Sequence, residues 1–429
     1  MVTALVAVLL LAAPQVDGDQ LPDNFPLRVL HHAQGPSSGD GGVLGRQANG
    51  NVLGIDTLPN FSSTFYFPGL VPTSFGAFPQ FTWAYSMVGR PPFGGSASDG
   101  TTVINAPIVP VLVDLRNFDG SPRYFTFPDG TQGPRMILDA TPYATAVVQS
   151  PIFQNARYGS SQRTTQYTDA IHRAQFFNVA DPAWHTLLRP VVRPTRTMVL
   201  IRGTYRFAAD ASGHLVYVLV DAGAFASLLF PPTPSDTSTL MGAAENAGDI
   251  TTGDLSTFLF PNTFLYQGGD PTNCCVLGYH SYDVEPGSAA NGWRERHYVM
   301  DYASWISPGL FGGGFSDVTA LSHELAEAFS DPFVANATPI WVSPSGLCQN
   351  NLEVGDVIEG LPNATYAVTM NGATYHPQNE ALLQWFAGQT PSSAFQHAYS
   401  FPDTTVLTAA SVSTSVDCTT PASIPTSQR

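Results

Sequence analysis

Apolar positions recur along this chain with two periods. β-branched and aromatic runs bounded by turn residues predict strands at PIVPVLVDL (residues 107–115), TMVLIRGTYRF (197–207) and HLVYVLVD (214–221). Between the first two, TTQYTDAIHRAQFF (164–177) sets Tyr167, Ile171 and Ala174 at helical spacing behind Asp169, which predicts a core-packing helix with a structural His172. Short strands follow at LFPNTFLY, CCVLGYHSYDV and ERHYVMDYASW, the last two joined by a hairpin around EPGSAANG. A Gly-rich loop leads to a second helix over ALSHELAEAFSDPF (320–333), capped by Ser316 or Asp317 and stopped by Pro332 after about four turns.

This order predicts one α+β domain over residues 61–408: a mixed β-sheet, a central helix and loop-rich insertions. Residues 19–60, rich in Gly, Asn, Pro and Asp without a sustained period, read as a loop-rich lead-in. Residues 409–429 form a Ser/Thr-rich tail. The apolar run MVTALVAVLLLAA with the polar stretch after it reads as a signal peptide over residues 1–18, although it lacks the usual basic start. No later run reaches the length of a membrane span, so the expected mature protein is secreted and extracellular.

Charge changes the picture of the second helix. At 100° per residue Val318, Leu321, Leu325 and Phe329 form one narrow apolar stripe, while His323 and Glu327 lie nearly opposite, flanked by Glu324 and Asp331. The chain has a formal charge of −16 and no lysine, and between Arg296 and Arg429 eleven acids face no arginine. Solvent-exposed helices usually answer such acids with a base one turn away. Clustered bases of the kind nucleic acid or an anionic membrane requires are missing as well. The stacked acids therefore point to a cation.

His323-Glu324-x-x-Glu327 is the HExxH metallopeptidase pattern with glutamate in place of the second histidine. His323 and Glu327 project one turn apart as metal ligands, and Glu324 is the candidate general base. Glu353, in NNLEVGDVIEG, is the candidate third ligand, with Asp356 and Asp331 placed to hydrogen-bond the ligands from behind and His280 as a possible additional ligand. Two carboxylates and one imidazole neutralise a dication, which loosens the preference for zinc over calcium or manganese. Four cysteines fit an oxidising compartment: an adjacent pair closes only a strained ring, so Cys274 and Cys275 are expected to pair separately with Cys348 and Cys418. A cysteine metal cluster is the alternative. Sequons at Asn60, Asn336 and Asn363 are candidate glycosylation sites.

SHELAEAFSDPF, TPIW (338–341) and LEVGD (352–356) resemble the core of the plant EXORDIUM-like (phosphate-induced) proteins and a broad set of exported microbial proteins. GYHSY and the QYTDAIHRAQFF helix are similar to segments of the microbial set. The resemblance spans about residues 80 to 400, and only the helix and LEVGD are sharp. It implies a zincin-like core with His323, Glu327 and Glu353 as ligands and Glu324 as base. The expected function is a secreted zinc-dependent metallopeptidase-like hydrolase acting on a peptide or protein substrate. A second reading is a non-enzymatic secreted or cell-wall-associated binding protein with a structural cation. A third leaves Glu324 or Glu327 protonated, or paired with an arginine such as Arg173 or Arg202.

Overall fold

The strand of Thr101–Arg116 runs through the middle of the molecule and is buried along most of its length. The computed structural model describes residues 17–30, 55–68, 71–73, 76–78, 81–93, 100–159, 163–312 and 314–411. That strand alternates at its start and is then apolar on both faces, the signature of a strand covered on both sides. It belongs to an eight-stranded mixed sheet. Ile55–Asp56, Glu295–Trp305, Leu255–Pro261, Thr101–Arg116 and His185–Val192 follow one another in parallel. Arg196–Ile201 extends the far half of the central strand, and Gly278–Glu285 runs antiparallel to Glu295–Trp305 with His280 opposite Asp301. A second sheet of Tyr205–Ala209, Leu215–Asp221, Thr263–Tyr266 and Cys274–Val276 packs nearby. The mixture of helices with a largely parallel central sheet is the expected α+β class. The expected run 197–207 is broken into two strands in different sheets, because Arg202–Thr204 make a turn with Gly203 at φ 95°.

The helix of Thr319–Ser330 lies against the Glu295–Trp305 and Gly278–Glu285 strands, and all twelve of its residues are buried. Its stripe of Val318, Leu321, Leu325 and Phe329 joins the larger core with Tyr282, Val299 and Ala303. Each such side chain contributes about 2 kcal/mol on leaving water. Helix start and stop differ in detail from expectation. Val318 occupies the cap position without a side-chain bond, while Asp317 accepts from the N–H of Val318 and from His376, and Asp331 ends the helix just before Pro332. The earlier helix, Tyr167–Gln175, crosses beneath it. Among the described residues no helix is long and apolar enough to cross a membrane.

Asp17 and Asp19 pair with Arg123, Arg202 and Arg206. Arg202 is thus occupied, and Arg173 donates to the carbonyl of Trp184, so neither neutralises the helix acids. Asn60 is buried and donates to Leu58, and Asn336 is buried and bridges Ser86 to Ser330; both side chains are consumed by the fold, and of the three sequons only Asn363 is exposed. Cys274 and Cys275 stand side by side as a buried vicinal pair, their Cα atoms 3.1 Å apart. Cys418, an expected partner, lies outside the described residues, like most of the expected tail.

His172 is the structural histidine expected. It stacks on Trp184 at 6.3 Å and meets the edge of Phe329 at 5.2 Å, and burial pushes its pKa down to about 4. An unfolded histidine titrates near 6.5, so the unfolded chain takes up the proton first on acidification. The stability contributed by neutral His172 is complete above about pH 6.5 and is lost as pH falls toward 4. His172→Phe is expected to remove this loss, improving on the wild type by on the order of 3 kcal/mol between pH 7 and pH 4 relative to their difference at neutrality. Urea unfolding at both pH values measures it, and a difference independent of pH contradicts it.

Candidate metal centre

Strand alternation gives the site its first histidine. Tyr279 enters the core on one side of the Gly278–Glu285 strand, whereas His280 and Tyr282 point to the side that carries the helix. The helix brings His323, Glu324 and Glu327 against that face, and the segment after the Cys348–Asn351 strand adds Glu353 and Asp356. His280 Nδ1 lies 3.8 Å from Glu324 Oε2, 3.5 Å from Glu327 Oε2 and 3.9 Å from Glu353 Oε2. His323 Nε2 lies 3.2 Å from Glu327 Oε2 and 3.6 Å from Asp356 Oδ1. Two atoms bonded to one zinc at about 2.1 Å and a tetrahedral angle sit roughly 3.4 Å apart, so these separations suit shared coordination.

Hydrogen bonds behind the donors fix which atoms face inward. His280 Nε2 is 3.1 Å from the carbonyl of Asp331, an acceptor only, so Nε2 carries a proton and Nδ1 is the nitrogen turned to the cluster. The amide of Gln378 donates to the Gly355 carbonyl, which turns its oxygen toward His323 Nδ1 at 3.2 Å and leaves His323 Nε2 free. Glu327 Oε1 accepts from the N–H groups of Gly355 and Asp356, Glu353 Oε1 from Asn351, and one oxygen of Asp356 from Gln349. Each carboxylate so held has one oxygen tethered and one turned to the centre.

Two glycines make the approach possible. A Cβ on Gly355 would stand 2.6 Å from His323 Nδ1, and one on Gly278 would stand 2.7 Å from Glu324 Oε1. A cavity of about 30 Å³ opens among these groups, walled on its apolar side by Leu30, Val276, Leu277 and Phe315. Leu30 is held there by its N–H bond to the carbonyl of Cys275.

The protonation pattern is that of a cluster short of positive charge. Burial and the nearby Glu327 push Glu353 well above the carboxylate range, and burial, Glu327 and Glu359 push Asp356 up to about 8. Burial raises Glu324 against the pull of His323. Burial opposes charge on His280 and His323 too, but the facing carboxylates outweigh it and both stand well above the usual imidazole value. Glu327, between the two imidazoles, is held low despite its burial.

The expected residues therefore converge, with rearranged roles. His280, Glu327 and Glu353 form one buried group able to hold a metal ion, and His323, Glu327 and Asp356 form another. Asp356, expected behind the ligands, faces inward as a donor. Asp331 supports the site through its backbone carbonyl, since its carboxylate is spent on the N–H groups of Ala335 and Asn336. Gln349, Asn351 and Gln378 escaped sequence reasoning because amides carry no motif, and Gly278 and Gly355 were missed too, although a glycine that opens GYHSY and one within LEVGD are signals of close backbone approach. The chain matches no protein-family model, no curated protein and no solved structure. The reading of the centre accordingly rests on its own geometry.

Because the imidazoles and Asp356 hold protons near neutrality, a cation must displace them. Metal affinity is expected to rise with pH between about 6 and 8, with protons released on binding; calorimetry in buffers of different ionisation enthalpy measures this, and pH-independent affinity contradicts it. Gly355→Ala, which drives a methyl into the His323 ring, is expected to weaken metal binding by at least about 10-fold, as loss of ligand support does. Unchanged affinity in competition with a chromophoric chelator contradicts that.

Proposed function

We propose that the chain is a secreted zinc-dependent hydrolase of the metallopeptidase kind, with a zincin-like pairing of motif helix and antiparallel strand. The observation that carries it is Glu324. Its carboxylate sits 3.8 Å from His280 Nδ1, at the rim of the donor set and outside both metal-holding groups. It is also the residue of the HExxE pattern whose counterpart in HExxH is the base.

His280, Glu327 and Glu353 would hold the cation, and imidazole with carboxylate suits zinc, while calcium and manganese accept the oxygen-rich remainder. A bound dication supplies Lewis acidity, lowering the pKa of water and polarising a carbonyl. The protein's own groups do the rest. Glu324, raised in pKa by burial, is suited to take a proton from the attacking water and return it to the leaving amine. Gly278 gives it the space to do so, and the carbonyl of Asp331 orients His280 with Nδ1 toward the centre. The apolar wall of Val276, Leu277 and Phe315 excludes bulk water from one side.

A second reading is favoured by the size of the cavity and by Leu30 across it: about 30 Å³ suits ions and water, as in a binding protein with a structural cation. Glu324→Gln separates the two. In an enzyme it is expected to keep the metal and lose at least about 100-fold in peptide-library cleavage, the usual range for a general base, whereas His280→Ala loses the ion that His280 would hold and activity together. Metal retained by the wild type with no cleavage of any peptide supports the structural cation instead.

A further inference from the structure

The donors of the metal centre do not gather around one point. They divide into two sets, His280 with Glu327 and Glu353, and His323 with Glu327 and Asp356, each with its donor atoms within 4.8 Å of one another and sharing only Glu327. We propose that the centre holds two divalent cations side by side, one in each set, with Glu327 bridging them. This rests on the reading of the site as a metal centre and extends it from one ion to two.

Geometry supplies the first argument. Each set contains one imidazole and one carboxylate of its own, His280 with Glu353 and His323 with Asp356. Each imidazole is locked from behind by a different partner, the Asp331 carbonyl for His280 and the Gln378 amide for His323. A single-ion site needs one converging set of donors and one such lock per histidine around it; here two complete half-sites are prepared. Glu327 Oε1 is committed to the backbone of Gly355 and Asp356, so its Oε2, 3.5 Å from His280 Nδ1 and 3.2 Å from His323 Nε2, is the bridging atom.

Charge supplies the second. Glu324, Glu327, Glu353, Asp356 and Glu359 bring five carboxylates to a buried cavity with no arginine among its lining residues. One dication with neutral imidazoles leaves a net −3, and one dication with the unused imidazole protonated leaves −2. Two dications leave −1, the state nearest neutrality and the one that costs least away from water. Space agrees: a cavity of about 30 Å³ compares with roughly 10–15 Å³ for one water-sized occupant. Two-cation centres serve hydrolysis of peptides as well as of phosphate esters, where they clamp the attacking and the leaving oxygen, so phosphodiesters join peptides as substrates to be tried.

The test is stoichiometry on the full chain, stripped with chelator and titrated with Zn²⁺ and separately with Mn²⁺, read by elemental analysis after gel filtration. Two equivalents are expected for the wild type, one for His280→Ala, one for Asp356→Asn and none or nearly none for Glu327→Gln. With Mn²⁺ the wild type is expected to give the spectrum of a spin-coupled pair, and Asp356→Asn that of an isolated ion. Asp356→Asn preserves shape, and equal thermal unfolding of the stripped proteins excludes misfolding as the cause of a lost ion. One tight equivalent in the wild type, or two that persist in both His280→Ala and Asp356→Asn, overturns the two-ion centre and leaves the metal-dependent reading intact. No tight equivalent overturns both.

Discussion

Five carboxylates gathered around one buried cavity without an arginine are the constraint on which this structure turns. Charges of one sign in a low-dielectric interior repel strongly, and each also forfeits its hydration. Glu324, Glu327, Glu353, Asp356 and Glu359 nevertheless converge on one small cavity, and Arg173 and Arg202 are spent elsewhere, Arg173 on Trp184 and Arg202 on Asp17 and Asp19. Only two imidazoles oppose them. A chain that folds this way either carries protons on its acids and histidines or carries cations, and donors tethered from behind with their lone pairs aimed inward suit the cation.

The rest of the fold serves to hold that arrangement rigid. The helix is buried on every side, so its register against the strand that bears His280 is set by apolar contacts of Leu321, Leu325 and Phe329 with Tyr282, Val299 and Ala303. Asn336 ties the end of the helix to the Phe81–Val88 strand through Ser86, and Tyr167 from the crossing helix donates to Glu380 and to the carbonyl of Gln378, which in turn orients His323. Orientation thus passes from core packing to amides and from amides to the ligands. Such outer partners govern metal affinity nearly as strongly as the ligands themselves.

The N-terminal stretch adds a feature that sequence patterning did not suggest. Asp17 and Asp19 anchor it in a cluster with Arg123, Arg202 and Arg206, Leu21 pairs with Phe207, and Leu30 reaches the wall of the cavity beside Cys275. Its path is fixed by partners far along the chain, through those ion pairs, edge hydrogen bonds and the packing of Leu21, Phe25, Leu27 and Val29 on a cluster with Tyr217, Phe264 and Tyr266, none of which its own spacing names.

Local periodicity and composition determined the α+β class, the principal strands, both helices, the buried role of His172 and the demand of the 320–333 helix for positive charge, because each follows from spacing within one segment. They also named His323, Glu324, Glu327 and Glu353. Tertiary structure alone decided that His280 joins them, that Asp356 faces inward while Asp331 acts through its carbonyl, and that Asn60 and Asn336 are consumed by the fold. Those outcomes depend on which strand lies against which helix and on which oxygen a distant backbone N–H occupies, and no spacing along the chain encodes a distance across it.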